Sequence, residues 1–214
     1  MIKKVCLVFL ALVVVLLAAA GVAWKLNGER WQQEYAAFRK TGAPVLMYHA
    51  VGPEEGADWP KTLIMKPELF ESHLQYLKEQ GYTIVTVAEL AERLQQGKSV
   101  DKYVALSFDD GYKNNHSVVL PILQKYDAKG SFFVINRDIG DELHMNEQEI
   151  KELIAAGMEL GSHTYSHNPL AAIDEKYLVW ETDTSRYWLK KKFDGYIVRT
   201  LAYPNGSYND RVIA

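Results

Sequence analysis

The sequence contains very little cysteine. Cys6 is the single cysteine among 214 residues, and it lies inside an apolar run at the N-terminus. No disulfide can therefore form within the chain, and the folded part has no thiolate to act as a nucleophile or as a zinc ligand. Any chemistry in the folded part must use other side chains.

A large excess of charge and a phosphate-binding loop are also missing. The formal net charge of −3 gives no general attraction to nucleic acid or to anionic lipid, so we expect no nucleic-acid partner. No glycine-rich loop follows the first predicted strand, which disfavours a nucleotide-binding sheet. The sequence shows no internal repeat, and no pattern in it predicts a protein partner. The composition, 48% apolar and 24% charged, is typical of a globular protein.

The N-terminus carries the longest apolar run. Residues 5–24 contain no charged side chain and follow Lys3 and Lys4. As a helix this run would be about 30 Å long, which matches the hydrocarbon thickness of a bilayer. We therefore predict a transmembrane signal-anchor over residues 1–26, with a signal peptide cleaved near residues 18–20 as the alternative. The chain is then expected at the extracytoplasmic face of the cell membrane, or secreted if the signal is cleaved.

Two further segments follow the apolar run. Residues 27–43 are predicted to form a juxtamembrane stalk, and residues 44–214 the folded domain. Within that domain, β-rich runs alternate with amphipathic runs, which predicts a parallel sheet with helical crossovers. The predicted strands cover residues 45–49, 83–86, 103–108, 131–135, 158–162 and 198–203. Six such units fit either an open doubly wound sheet or an incomplete barrel, both of the α/β class.

The predicted helices have clear local start signals. Pro67 suits the first turn of a helix that Gly81 closes. Two capping boxes, each a polar residue followed three positions later by glutamate, mark further helix starts. These capping boxes are Thr86 with Glu89 and Asn146 with Glu149. Two more helices are predicted over residues 117–126 and 174–193.

Several reactive side chains fall at the C-terminal ends of predicted strands. They are His49, Asp109, Asp110, His163, His167 and Tyr203. In a parallel α/β barrel these strand ends open on one face, where active sites gather. The placement therefore predicts one shared site. The other three histidines, His73, His116 and His144, fall on helix or loop patterns and are predicted to be surface residues.

The histidine pair and the aspartate pair together suit a metal site. His163 and His167 are spaced i, i+4, which on a helical turn would put both imidazoles on one face. With one carboxylate they form a two-histidine, one-carboxylate set for a divalent metal with open positions. The second aspartate could then act as general base towards a water bound to the metal, and a histidine from another strand could protonate the leaving group.

Three sequence motifs resemble those of a known family. Residues 107–112 (SFDDGY), 162–167 (SHTYSH) and 201–206 (LAYPNG) resemble the first three motifs of the polysaccharide deacetylases, the NodB-homology group known as carbohydrate esterase family 4. Residues 44–51 (PVLMYHAV) are similar to the branch that includes exported poly-N-acetylglucosamine deacetylases. The resemblance implies a distorted parallel (β/α) barrel. Because the sequence stops soon after the sixth predicted strand, we expect this barrel to be incomplete at its C-terminal end.

The resemblance also implies roles for single residues. Asp110, His163 and His167 would bind the metal, which in this family is usually zinc, with cobalt or nickel as alternatives. Asp109 would be the base, and the Tyr203 backbone N–H would stabilise the oxyanion. In the branch with the early histidine motif, His49 would be the general acid. The implied activity is hydrolysis of N-acetyl groups on the amino sugars of a cell-wall or extracellular polysaccharide.

The sequence departs from the family pattern in two places. Arg199 lies five residues before Pro204, whereas the family usually carries its arginine close to this proline. The late tryptophan and histidine motifs are absent. A non-catalytic carbohydrate-binding relative therefore remains an alternative. A glycosidase using Asp109 and Asp110 as acid and base is a second alternative, but it leaves the histidine pair without a role.

Overall fold

The structure is a computed structural model, and it describes residues 25, 27–30, 42–53 and 61–213. The predicted anchor and most of the predicted stalk lie outside these residues, so both stay predictions. In the part of the chain that is described, no helix is both long and apolar enough to cross a bilayer. The chain divides between Gly42 and Ala43 into two compact units.

A five-stranded parallel sheet forms the centre of the second unit. Its strands are β1 (Val45–Tyr48), β4 (Thr83–Val85), β5 (Tyr103–Phe108), β6 (Ser131–Val134) and β7 (Glu159–Ser162). β5 is central and pairs with β1, β4 and β6, and β6 pairs in turn with β7. The short strands β2 (Ala50–Val51) and β3 (Ile64–Met65) form a separate parallel pair. The predicted α/β class with a parallel sheet is confirmed.

Helices connect the strands. They are α1 (Pro67–Glu79), α2 (Val87–Gln95), α3 (Leu120–Lys125), α4 (Glu147–Ala155), α5 (Glu175–Val179), α6 (Ser185–Lys192) and α7 (Asp210–Ile213). Both predicted capping boxes are present, at the start of α2 and at the start of α4. The proline at the first position of α1 is also where the sequence predicted it.

Two predicted helices contain π-helical segments that the sequence did not predict. Asn115–Val119 precedes α3, and Trp180–Thr184 separates α5 from α6, so the single long helix predicted over residues 174–193 is wrong in detail. A π-helical turn holds an extra residue and is stable only where other contacts support it. Each segment contains a fully buried polar side chain, Asn115 in the first and Glu181 in the second.

The predicted sixth strand, residues 198–203, is reduced to a single bridge between Leu201 and Ser162. Two hydrogen bonds form this bridge, from the Ser162 N–H to the Thr200 carbonyl and from the Ala202 N–H to the Ser162 carbonyl, both 3.0 Å. The ladder does not extend towards the start of β7, because the Leu160 N–H donates to the Tyr196 hydroxyl instead.

The core lies directly beneath the end of β5. Val104, Ala105, Leu106 and Phe108 of this strand are completely buried, as expected for a parallel strand covered on both faces. The Phe108 ring stacks between those of Tyr48 and Phe132, at centroid distances of 5.4 and 4.8 Å. This packing fixes the backbone from which Asp109 and Asp110 project.

Candidate metal and catalytic site

Asp109 and Asp110 follow β5 immediately and are both 7% exposed. The Asp109 N–H donates to the Tyr48 carbonyl at 2.9 Å, which continues the pairing with β1 by one residue. Asp110 and Gly111 then adopt left-handed backbone, with φ of 70° and 82°. At Gly111 a Cβ would also lie 3.0 Å from the Val134 side chain. A glycine suits this turn because it adopts left-handed backbone easily and because it has no Cβ to crowd Val134.

His163 is the more buried of the two histidines, at 2% exposure. Its N–H donates to the Val134 carbonyl at 2.9 Å, and its ring Nδ1 lies 3.0 Å from the Ala202 carbonyl oxygen. A carbonyl only accepts, so Nδ1 carries the proton and the Nε2 of the neutral ring keeps its lone pair. This is the tautomer that a metal ligand requires when Nε2 is the donor.

His167 reaches the same place through a loop. The i, i+4 spacing would put both imidazoles on one face of a helical turn, but residues 163–167 do not form one, because Thr164 and His167 have left-handed φ values of 67° and 62°. The His167 N–H donates to the Thr164 hydroxyl at 3.0 Å. The predicted pair of imidazoles nevertheless comes together, with ring centroids 4.7 Å apart.

Three ligand atoms converge on one point. The Nε2 atoms of His163 and His167 each lie 3.4 Å from Asp110 Oδ1, and all three atoms lie within 4.8 Å of one another. A separation of 3.4 Å is long for a hydrogen bond. In a tetrahedral site with the metal 2.0–2.1 Å from each ligand atom, neighbouring ligand atoms are about 3.3 Å apart. The observed separation matches this spacing. The arrangement therefore fits a divalent cation.

Both aspartates have a buried oxygen that no protein group satisfies. Among the described residues, Oδ1 of Asp109 and Oδ1 of Asp110 have no hydrogen-bond partner. Buried carboxylate oxygens are normally paired, so two adjacent exceptions need an explanation. A bound cation would satisfy Asp110, and a water or a substrate group would satisfy Asp109.

The surroundings push the pKa values of the two aspartates apart. Burial raises the pKa of Asp109, and the charges of His163 and His49 only partly oppose it. Burial also acts on Asp110, but the close approach and charge of His163, with the charges of His49 and His167, outweigh it and lower the pKa of Asp110. These opposite shifts favour the ionised form of Asp110 and make Asp109 the carboxyl group better suited to take up a proton.

The pKa values of the two histidines also separate. Burial lowers the pKa of His163, but the close approach of Asp110 and the charges of Asp109 and Asp110 outweigh burial and raise the pKa. Burial and the charge of His163 lower the pKa of His167. His167 is therefore the ring that more readily offers a neutral nitrogen at neutral pH.

The C-terminal part of the sequence matches a known protein family. The polysaccharide deacetylase family model matches residues 96–214, which is more than half of the chain and includes Asp109, Asp110, His163 and His167. The chain belongs to the polysaccharide deacetylase family.

Two relatives show how far the likeness extends. YxkH of Bacillus subtilis (strain 168), named provisionally as a polysaccharide deacetylase, is 32% identical over 174 residues, which cover 79% of this chain and 59% of YxkH. The poly-beta-1,6-N-acetyl-D-glucosamine N-deacetylase of Staphylococcus aureus (strain NCTC 8325 / PS 47) is 29% identical over 164 residues, which cover 70% of this chain and 56% of the relative. The chain thus spans less than two thirds of both relatives.

Solved structures share the fold. The Streptococcus pyogenes deacetylase PplD in complex with acetate aligns with a TM-score of 0.71 and 33% identity over 80% of this chain and 77% of that chain. BC0361, a polysaccharide deacetylase from Bacillus cereus, aligns with a TM-score of 0.70 and 32% identity over 80% of this chain and 53% of that chain. IcaB from Ammonifex degensii aligns with a TM-score of 0.70 and 27% identity over 81% of this chain and 78% of that chain.

His49 lies close to the candidate site. It follows β1 and is partly exposed, and its charge affects the pKa values of Asp109, Asp110 and His167. Its carbonyl accepts a 2.8 Å hydrogen bond from the Asn115 side chain. Asn115 is completely buried and was not singled out from the sequence, where an asparagine at the start of a helix predicts no tertiary contact.

Tyr203 is linked to His163 through one peptide unit. The carbonyl of Ala202, which accepts from His163 Nδ1, and the N–H of Tyr203 belong to the same planar group. In the described part of the chain no protein acceptor pairs with the Tyr203 N–H. The Tyr203 ring stacks on that of Tyr208 at 5.4 Å.

The structure does not bring Arg199 to this site. Arg199 is exposed and lines a cavity together with Glu92 and Glu159, at the start of β7 rather than at its end. No arginine is among the groups that shift the pKa of Asp109. Within the described residues, Arg199 therefore does not pair with Asp109 as the family pattern would imply.

The remaining histidines lie outside the site. His116 and His144 pair with Glu152 and Asp141, both at 2.7 Å and close to the surface. His73 is partly buried, and its Nδ1 lies 3.2 Å from the Tyr48 hydroxyl.

Proposed function

We propose that this chain is a metal-dependent hydrolase that removes N-acetyl groups from the amino sugars of a cell-wall or extracellular polysaccharide. One observation carries the proposal: Asp110 Oδ1 and two imidazole Nε2 atoms have the spacing of a coordination sphere, beside the buried Asp109 carboxylate. A divalent cation held there lowers the pKa of a bound water and polarises an amide carbonyl. Two imidazoles and one carboxylate suit zinc best, and cobalt or nickel would also fit.

Asp109 is the general base of the proposed reaction. It is buried, its Oδ1 has no protein partner in the described structure, and burial raises its pKa towards the range in which a carboxylate transfers protons. Asp109 removes a proton from water as the water oxygen bonds to the acetamide carbon. Asp110 cannot take this role, because its pKa is lowered and both histidines converge on its Oδ1.

Tyr203 and His49 complete the reaction. The Tyr203 N–H donates a hydrogen bond to the carbonyl oxygen as negative charge develops there. His49 then donates a proton to the sugar nitrogen as the carbon–nitrogen bond breaks. The products are acetate and a free amino sugar.

The relatives support this substrate class. The Staphylococcus aureus relative is a poly-beta-1,6-N-acetyl-D-glucosamine N-deacetylase by name. The PplD structure contains acetate, which is the product that N-acetyl hydrolysis releases. We propose that the substrate is a polymer containing N-acetylglucosamine. The apolar run at residues 5–24 supports an extracytoplasmic location.

The direct test is acetate release from N-acetylglucosamine oligomers by the purified chain, with and without a chelator. The wild type should release acetate, and the chelator should stop it. Asp110→Ala should lose acetate release and metal binding together, whereas Asp101→Ala, which changes an exposed aspartate in the loop before β5, should retain both. New reducing ends without acetate would indicate a glycosidase. Oligomer binding without either product would indicate a non-catalytic relative.

A further inference from the structure

The loop between the two histidine ligands has an unusual backbone. Thr164 and His167 both lie in the left-handed region, which is rare for residues other than glycine and rarer still for β-branched threonine. Such a backbone persists only where surrounding contacts over-determine it. The loop ends by placing His167 Nε2 3.4 Å from Asp110 Oδ1. The contacts that hold the loop therefore also set the position of the third ligand.

Most of these contacts come from Glu181. Its Oε2 accepts the Ser166 N–H at 2.9 Å, and its Oε1 accepts both the Ser166 hydroxyl and the Asn168 side-chain N–H, the latter at 3.1 Å. Its main-chain carbonyl accepts the Tyr165 N–H at 3.1 Å. Glu181 is 3% exposed, and both carboxylate oxygens are used. One buried residue thus holds three positions between or beside the two histidines.

The π-helical segment brings Glu181 to the loop. Glu181 is the second residue of Trp180–Thr184, between α5 and α6. Four residues later, the Ser185 hydroxyl lies 2.7 Å from the Ser162 hydroxyl, which in turn accepts the Thr164 N–H at 3.1 Å. This helical stretch therefore contacts the loop both before and after His163. π-helical turns often occur at functional sites, which agrees with this arrangement.

We propose that Glu181 is a positioning residue for the metal centre, which holds the loop over residues 164–168 in the conformation that directs His167 to Asp110. The inference rests on the metal site of the proposed function. Glu181 is not one of the three residues whose ligand atoms converge, and in this proposal it acts through the loop. Its replacement should weaken metal binding because His167 would no longer be held in place.

The chain offers a matched control in Glu159. It is also a buried carboxylate, at 7% exposure, and it accepts hydrogen bonds from the Ser131 hydroxyl, the Ala88 N–H and the Thr200 hydroxyl. It lies at the start of β7, whereas the ligand loop follows the end of that strand. Glu159→Gln should therefore disturb a comparable buried network without reaching His167.

The experiment measures zinc affinity in the full chain. Each protein is stripped of metal, and the zinc Kd is measured by competition with a chromophoric chelator. Glu181→Gln should bind zinc about 10- to 100-fold more weakly than the wild type, the range typical of groups that orient metal ligands. Ser166→Ala, which removes a single bond to Glu181, should weaken binding in the same direction by less. Glu159→Gln should lower the melting temperature and leave the zinc Kd unchanged.

Hydrogen exchange of the metal-free proteins gives a second readout that requires no activity. The Tyr165 and Ser166 amides, which donate to Glu181, should exchange faster in Glu181→Gln and at the wild-type rate in Glu159→Gln. Wild-type zinc affinity in both Glu181→Gln and Ser166→Ala, or an equal loss of affinity in Glu159→Gln, would overturn the inference. A wild-type chain that binds no zinc would overturn both the inference and the proposed function.

Discussion

The ring Nδ1 of His163 lies 3.0 Å from the main-chain carbonyl oxygen of Ala202. This one contact connects His163, which directly follows β7, to the segment that carries Tyr203, and it leaves Nε2 as the ring nitrogen that faces Asp110. With Nδ1 occupied by this carbonyl, the Nε2 of His163 is the nitrogen available to a cation beside Asp110.

Asp109→Asn should separate catalysis from metal binding. The change removes the base but leaves Asp110, His163 and His167 in place, so kcat for acetate release should fall about 100- to 10,000-fold. Zinc content, measured by elemental analysis, should stay at the wild-type level. Asp110→Asn is the matched control, and it should lose zinc as well as activity. An Asp109→Asn chain with near wild-type kcat would contradict the assignment of the base.

Asn115→Ala should weaken the placement of His49. The Asn115 side chain donates at 2.8 Å to the His49 carbonyl, and losing this buried bond should lower the free energy of unfolding by about 1–3 kcal/mol. The kcat should fall more than KM rises, since the role we propose for His49 is to donate a proton as the carbon–nitrogen bond breaks. Asn114→Ala is the control, because its equally buried side chain has no hydrogen-bond partner among the described residues. Equal kinetic losses in the two variants would argue against a specific role for Asn115.

Zinc affinity should depend on pH through His163. Its pKa is raised in the metal-free chain, so a proton occupies the ring at a higher pH than the ordinary histidine value of about 6.5. Protonated imidazole does not bind metal, and the zinc Kd should therefore begin to rise above that pH as the solution is made more acid. Chelator competition across neutral and mildly acid pH measures this rise. A Kd that stays constant until well below pH 6.5 would be inconsistent with the Asp110–His163 geometry.

Gly161→Ala should destabilise the strand that carries His163. A Cβ at this position would lie 2.5 Å from two atoms of the Phe133 ring, so the ring would have to move. The expected loss is about 1–3 kcal/mol in the free energy of unfolding, measured by urea denaturation. Phe133→Leu in the same chain should recover part of that loss because the smaller side chain gives way. No recovery in the double variant would show that the ring is not the cause.

Local signals in the sequence were sufficient for much of the fold. The run Tyr103–Phe108 predicted the central strand, and Thr86 with Glu89 predicted the start of α2, because both depend on neighbours in the chain. The strand predicted over residues 198–203 was wrong because the Tyr196 hydroxyl takes the Leu160 N–H, a contact that no local pattern reveals.

The residues of the site could be predicted from the sequence, but the backbone geometry that brings them together could not. Asp110, His163 and His167 do converge, but a loop with left-handed backbone at Thr164 and His167, not a helical turn, brings His167 to the other two. Asn115 and Glu181 gave no signal, because each acts through a hydrogen bond to a residue at least ten positions away. The roles assigned to Asp109, His49 and Tyr203 stay predictions.

The central claim is that Asp110, His163 and His167 hold one divalent cation. A crystal structure of the zinc-loaded chain, with anomalous scattering recorded at the zinc edge, tests it most directly. We expect a single strong anomalous peak about 2.0–2.2 Å from Asp110 Oδ1 and from both Nε2 atoms. A peak bound by other residues, or no peak at this position in crystals grown with excess zinc, would contradict it.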